Sequence, residues 1–132
     1  MKVIVVSHGS YAQGMVDTVQ MIAGEQKDLE AFGLMPEESV ETLKEKIRKS
    51  IEDTGSEEIL ILTDLFYGSP FNTVVSLMPE YDFYHITGMN LPLMMEVIMG
   101  RYAGKSAEVI CKDVMNAASG TVRDVRELYK EV

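Results

Sequence analysis

The chain has 132 residues, and its 21 Asp and Glu outnumber its 12 Lys and Arg, which gives a formal net charge of −9. A chain this acidic is repelled by phosphate backbones and by anionic lipid, so we expect no nucleic-acid partner. The length is enough for one domain, over residues 1–132, whose core needs neither disulfides nor metal. The single cysteine, Cys111, cannot form an internal disulfide.

The sequence lacks the kinds of segment that insert into a membrane. The amino-terminal apolar run, residues 3–6, is too short for the core of a signal peptide. No stretch reaches the roughly 18 apolar residues that could span a bilayer. We therefore expect a cytoplasmic protein with no direct membrane insertion.

The first third of the chain alternates between strand and helix patterns. Residues 1–7 form a continuous, largely β-branched run, which is typical of a strand buried on both faces. A helix is expected next, ending at Gly24. The apolar residues of this helix are Met15, Val16, Val19 and Ile22. A short second strand is expected at residues 29–33.

An amphipathic helix is expected after the segment 36–39, which has the composition of a helix start. The residues of its apolar face are Val40, Leu43, Ile47 and Ile51. Gly55 is expected to close this helix. The apolar run at residues 59–62 then predicts a third strand.

The loop after the third strand has a distinctive sequence. Residues 65–70 read Leu-Phe-Tyr-Gly-Ser-Pro, in which Ser69 can cap a helix that has Pro70 at its first position. The free N–H groups at the start of that helix would face the ends of the strands.

The second half of the chain continues the alternation. Residues 81–87 predict a fourth strand, and a Gly- and Pro-containing turn leads into a very apolar helix at residues 91–99. A last helix is expected at residues 106–118. Residues 121–129 are ambiguous between a strand and a helical tail.

Four strands that alternate with helices predict a doubly wound α/β fold, with an open, mainly parallel sheet and helices on both faces. The expected strand order is 2-1-3-4. In that order the first and third strands are neighbours and the chain reverses direction between them. This leaves a crevice outside their carboxyl ends, where ligands bind in such folds.

His8 and Asp64 each follow one of these two strands, so both are expected at the crevice. A neutral imidazole is available as a nucleophile at cytosolic pH. A carboxylate that accepts a hydrogen bond from one ring nitrogen directs the other nitrogen outward and stabilises the cation formed on attack. The pair suggests a histidine that carries a phosphoryl group. His85, the other histidine, is interpreted as an ordinary strand residue.

A bound phosphoryl group needs hydrogen-bond donors, which we expect in a phosphate loop formed by Gly9, Gly68 and Ser69. The donors would be the Ser69 hydroxyl and the unpaired N–H groups of the turn and helix start. Neither loop contains Lys or Arg, which suits a carrier that must release the group again. Each feature alone also occurs in ordinary turns, but their coincidence at one crevice favours a functional site.

Three segments of the chain carry a specific pattern: Val6–Gly9, Thr63–Asn72 and Gly88–Leu93. Together they resemble the enzyme IIA domain of the mannose/fructose/sorbose class of bacterial sugar phosphotransferase systems, and the resemblance covers essentially the whole chain. It implies that His8 is the phosphorylated histidine, that Asp64 orients it and that Ser69 contacts the phosphoryl group. The chain departs from the pattern mainly in Leu-Phe-Tyr at residues 65–67.

The resemblance also implies partners. Such domains accept a phosphoryl group from the histidine-containing phosphocarrier protein and pass it to a IIB component. They are typically homodimers in which a C-terminal edge strand is swapped into the partner's sheet. No cofactor is implied, and one His with one Asp cannot complete a usual metal site.

Three other functions are compatible with parts of this pattern. The chain could be the subunit that donates phosphoryl groups to dihydroxyacetone kinase, which shares the Ser-His turn. A histidine phosphatase would need arginines around the histidine, and the loops here contain none. A non-catalytic regulatory module could use the same fold, because fold does not fix function.

Overall fold

The computed structural model describes residues 1–55 and 57–130; residue 56 and residues 131–132 of the predicted domain lie outside this range. The strands form one all-parallel sheet flanked by helices. In chain order the elements are β1 (Lys2–His8), α1 (Tyr11–Ala23), β2 (Leu29–Leu34), α2 (Val40–Glu52), β3 (Ile59–Thr63), α3 (Ser69–Leu77), β4 (Tyr84–Thr87), α4 (Leu91–Tyr102), α5 (Ala107–Ala117), a 3-10 turn (Ala118–Gly120) and α6 (Val125–Lys130). The sheet order is β2-β1-β3-β4, which confirms the predicted doubly wound α/β fold.

Strand β1 lies in the interior of the sheet because it is apolar on both faces. Val3 and Val5 pack in the core formed with α1, α4 and α5, whereas Ile4 and Val6 pack in the core formed with α2 and α3. All four side chains are fully buried. Each contributes about 1.5–3 kcal/mol by burial, so the strand is held firmly at the point where it delivers His8.

The strand register brings the two predicted site residues to the same level. β1 pairs with β3 as far as Val6, which lies opposite Thr63. Asp64 is the next residue after that pair, and it therefore lies beside the last two residues of β1. On the other side, His8 pairs with Leu34 at the end of β2.

The start of α3 differs from the prediction that Ser69 caps it. Gly68 occupies the N-cap position with φ 97°, and Ser69 is the first residue of the helix, followed by Pro70. Side chains cap other helices: Ser39, Asn90 and Ser106 each accept a backbone N–H at the start of α2, α4 and α5. The N-cap of α3 is therefore a glycine, and the site geometry explains why.

Strand β4 is shorter than predicted, because it begins at Tyr84 and not at residue 81. The aromatic pattern of residues 81–83 instead reflects packing of a loop. Phe83 is buried in the core, and the Tyr81 hydroxyl donates to Glu52 over 2.6 Å. Two residues assigned to apolar helix faces, Ile22 and Val40, are exposed.

The ambiguous tail is helical at its end. Helix α6 covers Val125–Lys130. The described part of the tail, residues 121–130, adds no strand to the sheet of its own chain. Within residues 1–55 and 57–130, none of the helices combines the length and the apolar character that crossing a membrane requires.

A glycine in β2 allows the turn after β1 to cross over it. The Gly9 amide donates to the Leu34 carbonyl over 2.9 Å, and Gly9 itself adopts φ 52°. A Cβ atom on Gly33 would overlap the Gly9 carbonyl oxygen. Because the backbone fixes the position of the Cβ atom and the oxygen is itself a backbone atom, neither can rotate away.

We expect Gly33→Ala to destabilise the fold by about 1–3 kcal/mol, the usual cost of overpacking. Gly14→Ala is the matched control, because a Cβ there meets nothing within 4 Å and the residue lies inside α1. The control should gain about 0.5–1 kcal/mol. Urea unfolding of both variants measures the difference, and equal stabilities would contradict this account of Gly33.

Candidate functional site

The structure brings His8 and Asp64 together at the predicted crevice. One carboxylate oxygen, Asp64 Oδ2, accepts the His8 backbone N–H over 2.9 Å and lies 2.8 Å from the ring atom Nδ1. An ionised carboxylate can only accept, so Nδ1 carries the proton in this bond. In the neutral ring the lone pair then resides on Nε2. The His8 side chain is 48% exposed, which leaves this second nitrogen open to a partner.

Asp64 is held in a fixed orientation. Its side chain is only 9% exposed, and its other oxygen, Oδ1, accepts the Leu65 backbone N–H over 3.0 Å. Burial raises the pKa of Asp64, but the hydrogen bonds from the His8 amide, the His8 ring and Leu65 outweigh it, so that the pKa lies below its ordinary value. The carboxylate is therefore ionised at neutral pH and available to stabilise positive charge on the ring.

Gly68 packs directly against the imidazole. A Cβ atom at this position would lie 3.1 Å from His8 Cε1 and 3.4 Å from Nε2. The φ of 97° also disfavours any side chain. A glycine here lets the start of α3 approach the ring edge that contains Nε2, which explains why the N-cap lacks a side chain.

Ser69 lies next to this contact, at the start of α3. Its carbonyl accepts the Thr73 hydroxyl over 2.6 Å. Among the described residues its own hydroxyl makes no hydrogen bond to His8. Ser69 also borders a cleft between α2 and α3, which Lys44, Asn72 and Ser76 help to line.

Gly9 lies beside His8, in the turn that follows β1. Its N–H is engaged by the Leu34 carbonyl, so this glycine shapes the turn. Across the crevice, the N–H groups of Ser69 and Phe71 have no partner within the helix, because the ladder begins with the Asn72 N–H bonded to Gly68. Pro70, between them, has no N–H. These free donors and the positive end of the helix dipole favour an anion beside His8.

The loop between Asp64 and Gly68 exposes three large apolar side chains, at the positions where the sequence departs from the family pattern. Leu65, Phe66 and Tyr67 are each more than half exposed. Phe66 and Tyr67 stack with ring centroids 4.2 Å apart. Tyr67 adopts φ 76°, a conformation of the kind that costs a non-glycine residue about 1–3 kcal/mol and is enriched at functional sites. In the sequence, this exposed loop is indicated only by the run of three large apolar residues directly after Asp64.

His85 lies in β4 and is partly buried, in agreement with its interpretation as a strand residue. Its Nε2 is hydrogen-bonded to the Thr63 hydroxyl over 2.9 Å. Burial lowers its pKa to about 4, so the ring is neutral at physiological pH. Within residues 1–55 and 57–130, no three His, Cys, Asp or Glu side chains cluster as metal ligands would.

Comparison with known proteins identifies the family to which this geometry belongs. The sequence model of the EIIA-man family, described as the PTS system fructose IIA component, matches residues 2–115. The chain belongs to the EIIA-man family. The resemblance found in the sequence motifs is thus confirmed. Phosphoryl transfer linked to sugar transport, the work of the phosphotransferase system (PTS), is therefore the general role of this EIIA-man protein.

Relatives differ in length and in named specificity. The fructose-specific EIIA component of Bacillus subtilis is 32% identical over 116 residues, which cover 86% of this chain and 76% of that protein. The mannose-specific EIIAB component of Escherichia coli K12 is 31% identical over 101 residues. That match covers 75% of this EIIA-man chain but only 31% of the E. coli protein.

A solved structure confirms the architecture of this EIIA-man protein. The phosphotransferase system component EIIA from Streptococcus agalactiae superposes with a TM-score of 0.87 at 26% sequence identity. The superposition covers 96% of this chain and 98% of that one. The shared fold therefore extends over nearly the whole chain.

The lowered pKa of Asp64 predicts how stability depends on pH. A carboxyl group whose pKa is lowered in the folded state stabilises the fold above its unfolded pKa, which is about 3.9. That contribution is lost as the pH falls through the folded value. Urea unfolding between about pH 5 and pH 2 should therefore show the stability of the wild type falling towards that of Asp64→Asn. A stability difference that stays constant over this range would contradict the assigned hydrogen bonds.

Proposed function

We propose that this EIIA-man protein is a phosphohistidine carrier. His8 accepts a phosphoryl group on Nε2 from the histidine-containing phosphocarrier protein and passes it to a IIB component for sugar transport. The observation that carries this proposal is the double hydrogen bond between Asp64 and His8, which engages Nδ1 and leaves Nε2 as the open nucleophile.

The transfer step balances without an added cofactor. The lone pair of His8 Nε2 attacks phosphorus on the donor's phosphohistidine, the donor N–P bond breaks, and its electron pair returns to the donor imidazole. The His8 ring keeps its Nδ1 proton and becomes cationic, and Asp64 stabilises that charge through the 2.8 Å contact. In the second half-reaction the acceptor attacks the same phosphorus, and the electron pair returns to Nε2.

The phosphate loop contributes in three ways. Ser69 donates its hydroxyl to the phosphoryl oxygens, and the free N–H groups at the start of α3 add further donors. Because Gly68 has no side chain, the start of α3 can lie close to the edge of the His8 ring. Gly9 sets the turn that carries His8, with its own amide committed to Leu34.

The absence of cations from the two site loops suits a carrier. Residues 7–11 and 63–72 contain neither Lys nor Arg. A guanidinium or ammonium beside the phosphoryl group would bind it with charge-assisted hydrogen bonds and oppose its release. Neutral donors hold the group for transfer in either direction.

The remaining expectations follow from the family. We propose that residues 1–132 form one IIA domain, that the protein acts in the cytoplasm without membrane insertion, and that it forms a homodimer. Exposed apolar side chains on α4 and on the tail support an assembly, since large side chains such as Tyr102, Val122 and Tyr129 lie in solvent in the single chain. The transported sugar is set by other components.

Labelling experiments test the carrier function. With phosphoenolpyruvate, the first enzyme of the system and the phosphocarrier protein, wild-type chain should acquire one acid-labile, base-stable phosphoryl group. His8→Ala should remain unlabelled, although His85 is still present as an internal control. Asp64→Asn should be labelled at least about tenfold more slowly, because the ring loses its orienting charge.

Full labelling of His8→Ala would refute the proposal. The acceptor is then identified by mixing the labelled chain with purified IIB or with the nucleotide-bearing subunit of dihydroxyacetone kinase. Transfer to IIB supports the proposed pathway, whereas transfer only to the kinase subunit would establish the alternative. A folded wild-type chain that accepts no label would instead indicate a regulatory module.

A further inference from the structure

A series of rings in contact, mostly tilted or edge-on to one another, connects the edge strand of the sheet to the loop beside His8. The ring of His85, on β4, lies 5.4 Å from that of Phe71, on α3. Phe71 in turn lies 5.3 Å from Phe66 and 6.1 Å from Tyr67, between ring centroids. We call these four residues the ring ladder. Its outer end is the exposed segment that leads directly into Gly68.

The inner end of the ladder is also bonded to the strand that carries Asp64. His85 Nε2 is 2.9 Å from the hydroxyl of Thr63, which is fully buried and immediately precedes Asp64. A second contact ties β4 to the same loop, because the Thr87 hydroxyl donates to the Leu65 carbonyl over 2.6 Å. Strand β4 therefore contacts the residue before Asp64, which is Thr63, and the residue after it, which is Leu65.

We propose that His85 is a positioning residue for phosphoryl transfer at His8, acting through Thr63 on Asp64 and through the ring ladder on Gly68. This inference rests on the function proposed above, and it assigns a role to a residue outside the crevice. His85 does not contact the transferred group. It fixes two groups that do contact the His8 ring.

Hydrogen bonds hold the loop at Leu65, through the Asp64 carboxylate and the Thr87 hydroxyl, whereas the rings that follow Leu65 are supported by aromatic packing. Leu65, Phe66 and Tyr67 are exposed, and Tyr67 adopts a φ of 76° that its neighbours must maintain. The ring of Phe71 packs against the rings of Phe66 and Tyr67. The ring of His85 packs against Phe71 in turn. A shift of the ring ladder would move Gly68 relative to His8 Nε2.

The chemistry of imidazole suits both contacts. Its ring packs against Phe71 in a tilted arrangement, while its polar edge pairs with a buried hydroxyl that an apolar residue would leave unpartnered. Burial lowers the pKa of His85 to about 4, so at neutral pH the ring adds no charge behind the anion site. The side chain therefore joins an aromatic contact to a hydrogen bond without charge.

Three variants separate the two contacts. His85→Phe keeps a ring for Phe71 but loses the hydrogen bond to Thr63. His85→Gln keeps a polar group near the position of Nε2 but loses the ring. His85→Ala removes both contacts. The matched control is Lys2→Met at the opposite end of the sheet, which removes the buried bonds of Lys2 to the Ser50 carbonyl and to Glu30.

Two measurements are made on each variant. Long-range ¹H–¹⁵N spectra of the unphosphorylated protein report the tautomer of the His8 ring, which Asp64 holds in the Nδ1–H form. Rapid-quench labelling at saturating phosphocarrier protein reports the rate of phosphoryl transfer. We expect His85→Ala to slow the saturated rate by about tenfold to a hundredfold and to shift the tautomer towards Nε2–H. His85→Phe and His85→Gln should lie between His85→Ala and the wild type.

The control separates positioning from stability. Lys2→Met should unfold at lower urea concentration yet keep the wild-type tautomer and rate. A wild-type tautomer and rate in His85→Ala would overturn the proposal, and so would Lys2→Met if it reproduced both changes. If the wild type accepted no phosphoryl group, the carrier function would fail, and the tautomer of His8 in His85→Ala would still decide whether His85 positions the ring.

Discussion

The site depends on one carboxylate oxygen that binds the same histidine twice. Asp64 Oδ2 accepts both the backbone amide and the ring N–H of His8. The first bond fixes where β1 ends relative to β3, and the second fixes the ring and its tautomer. Because both bonds converge on one atom, the position of the nucleophile and its chemical state are set together. A carboxylate that is mostly buried and further held by the Leu65 amide can do this without conformational freedom of its own.

The fold supplies this oxygen through register and close backbone approach. The parallel pairing of Val6 with Thr63 brings the ends of β1 and β3 level, and Gly33 lets the turn after His8 cross β2. Gly68 then allows the start of α3 to lie against the ring. The start of α3 thus lies beside His8 Nε2 and the Asp64 carboxylate. They meet where the chain reverses direction in the sheet, which is the general location of ligand sites in such folds.

Much of this arrangement could be predicted from the sequence. Continuous apolar strands predict the parallel sheet, its order places residues 8 and 64 together, and the motifs identify the family. Finer features depend on contacts that periodicity does not encode. The N-cap falls on Gly68 because the imidazole occupies the space of a side chain. Residues 81–83 look like a strand but pack as a loop. The contact of His85 with Thr63 joins residues 22 positions apart, and only the register of β3 with β4 brings them together.

The most direct test of the central claim is to determine which nitrogen of His8 carries the phosphoryl group. If Asp64 holds the Nδ1 proton, ¹⁵N and ³¹P spectra of the phosphorylated chain must show the phosphorus bonded to Nε2, with Nδ1 still protonated. Phosphorus bonded to Nδ1 would mean that the carboxylate leaves the ring before transfer. That result would contradict the account of the site developed from this structure.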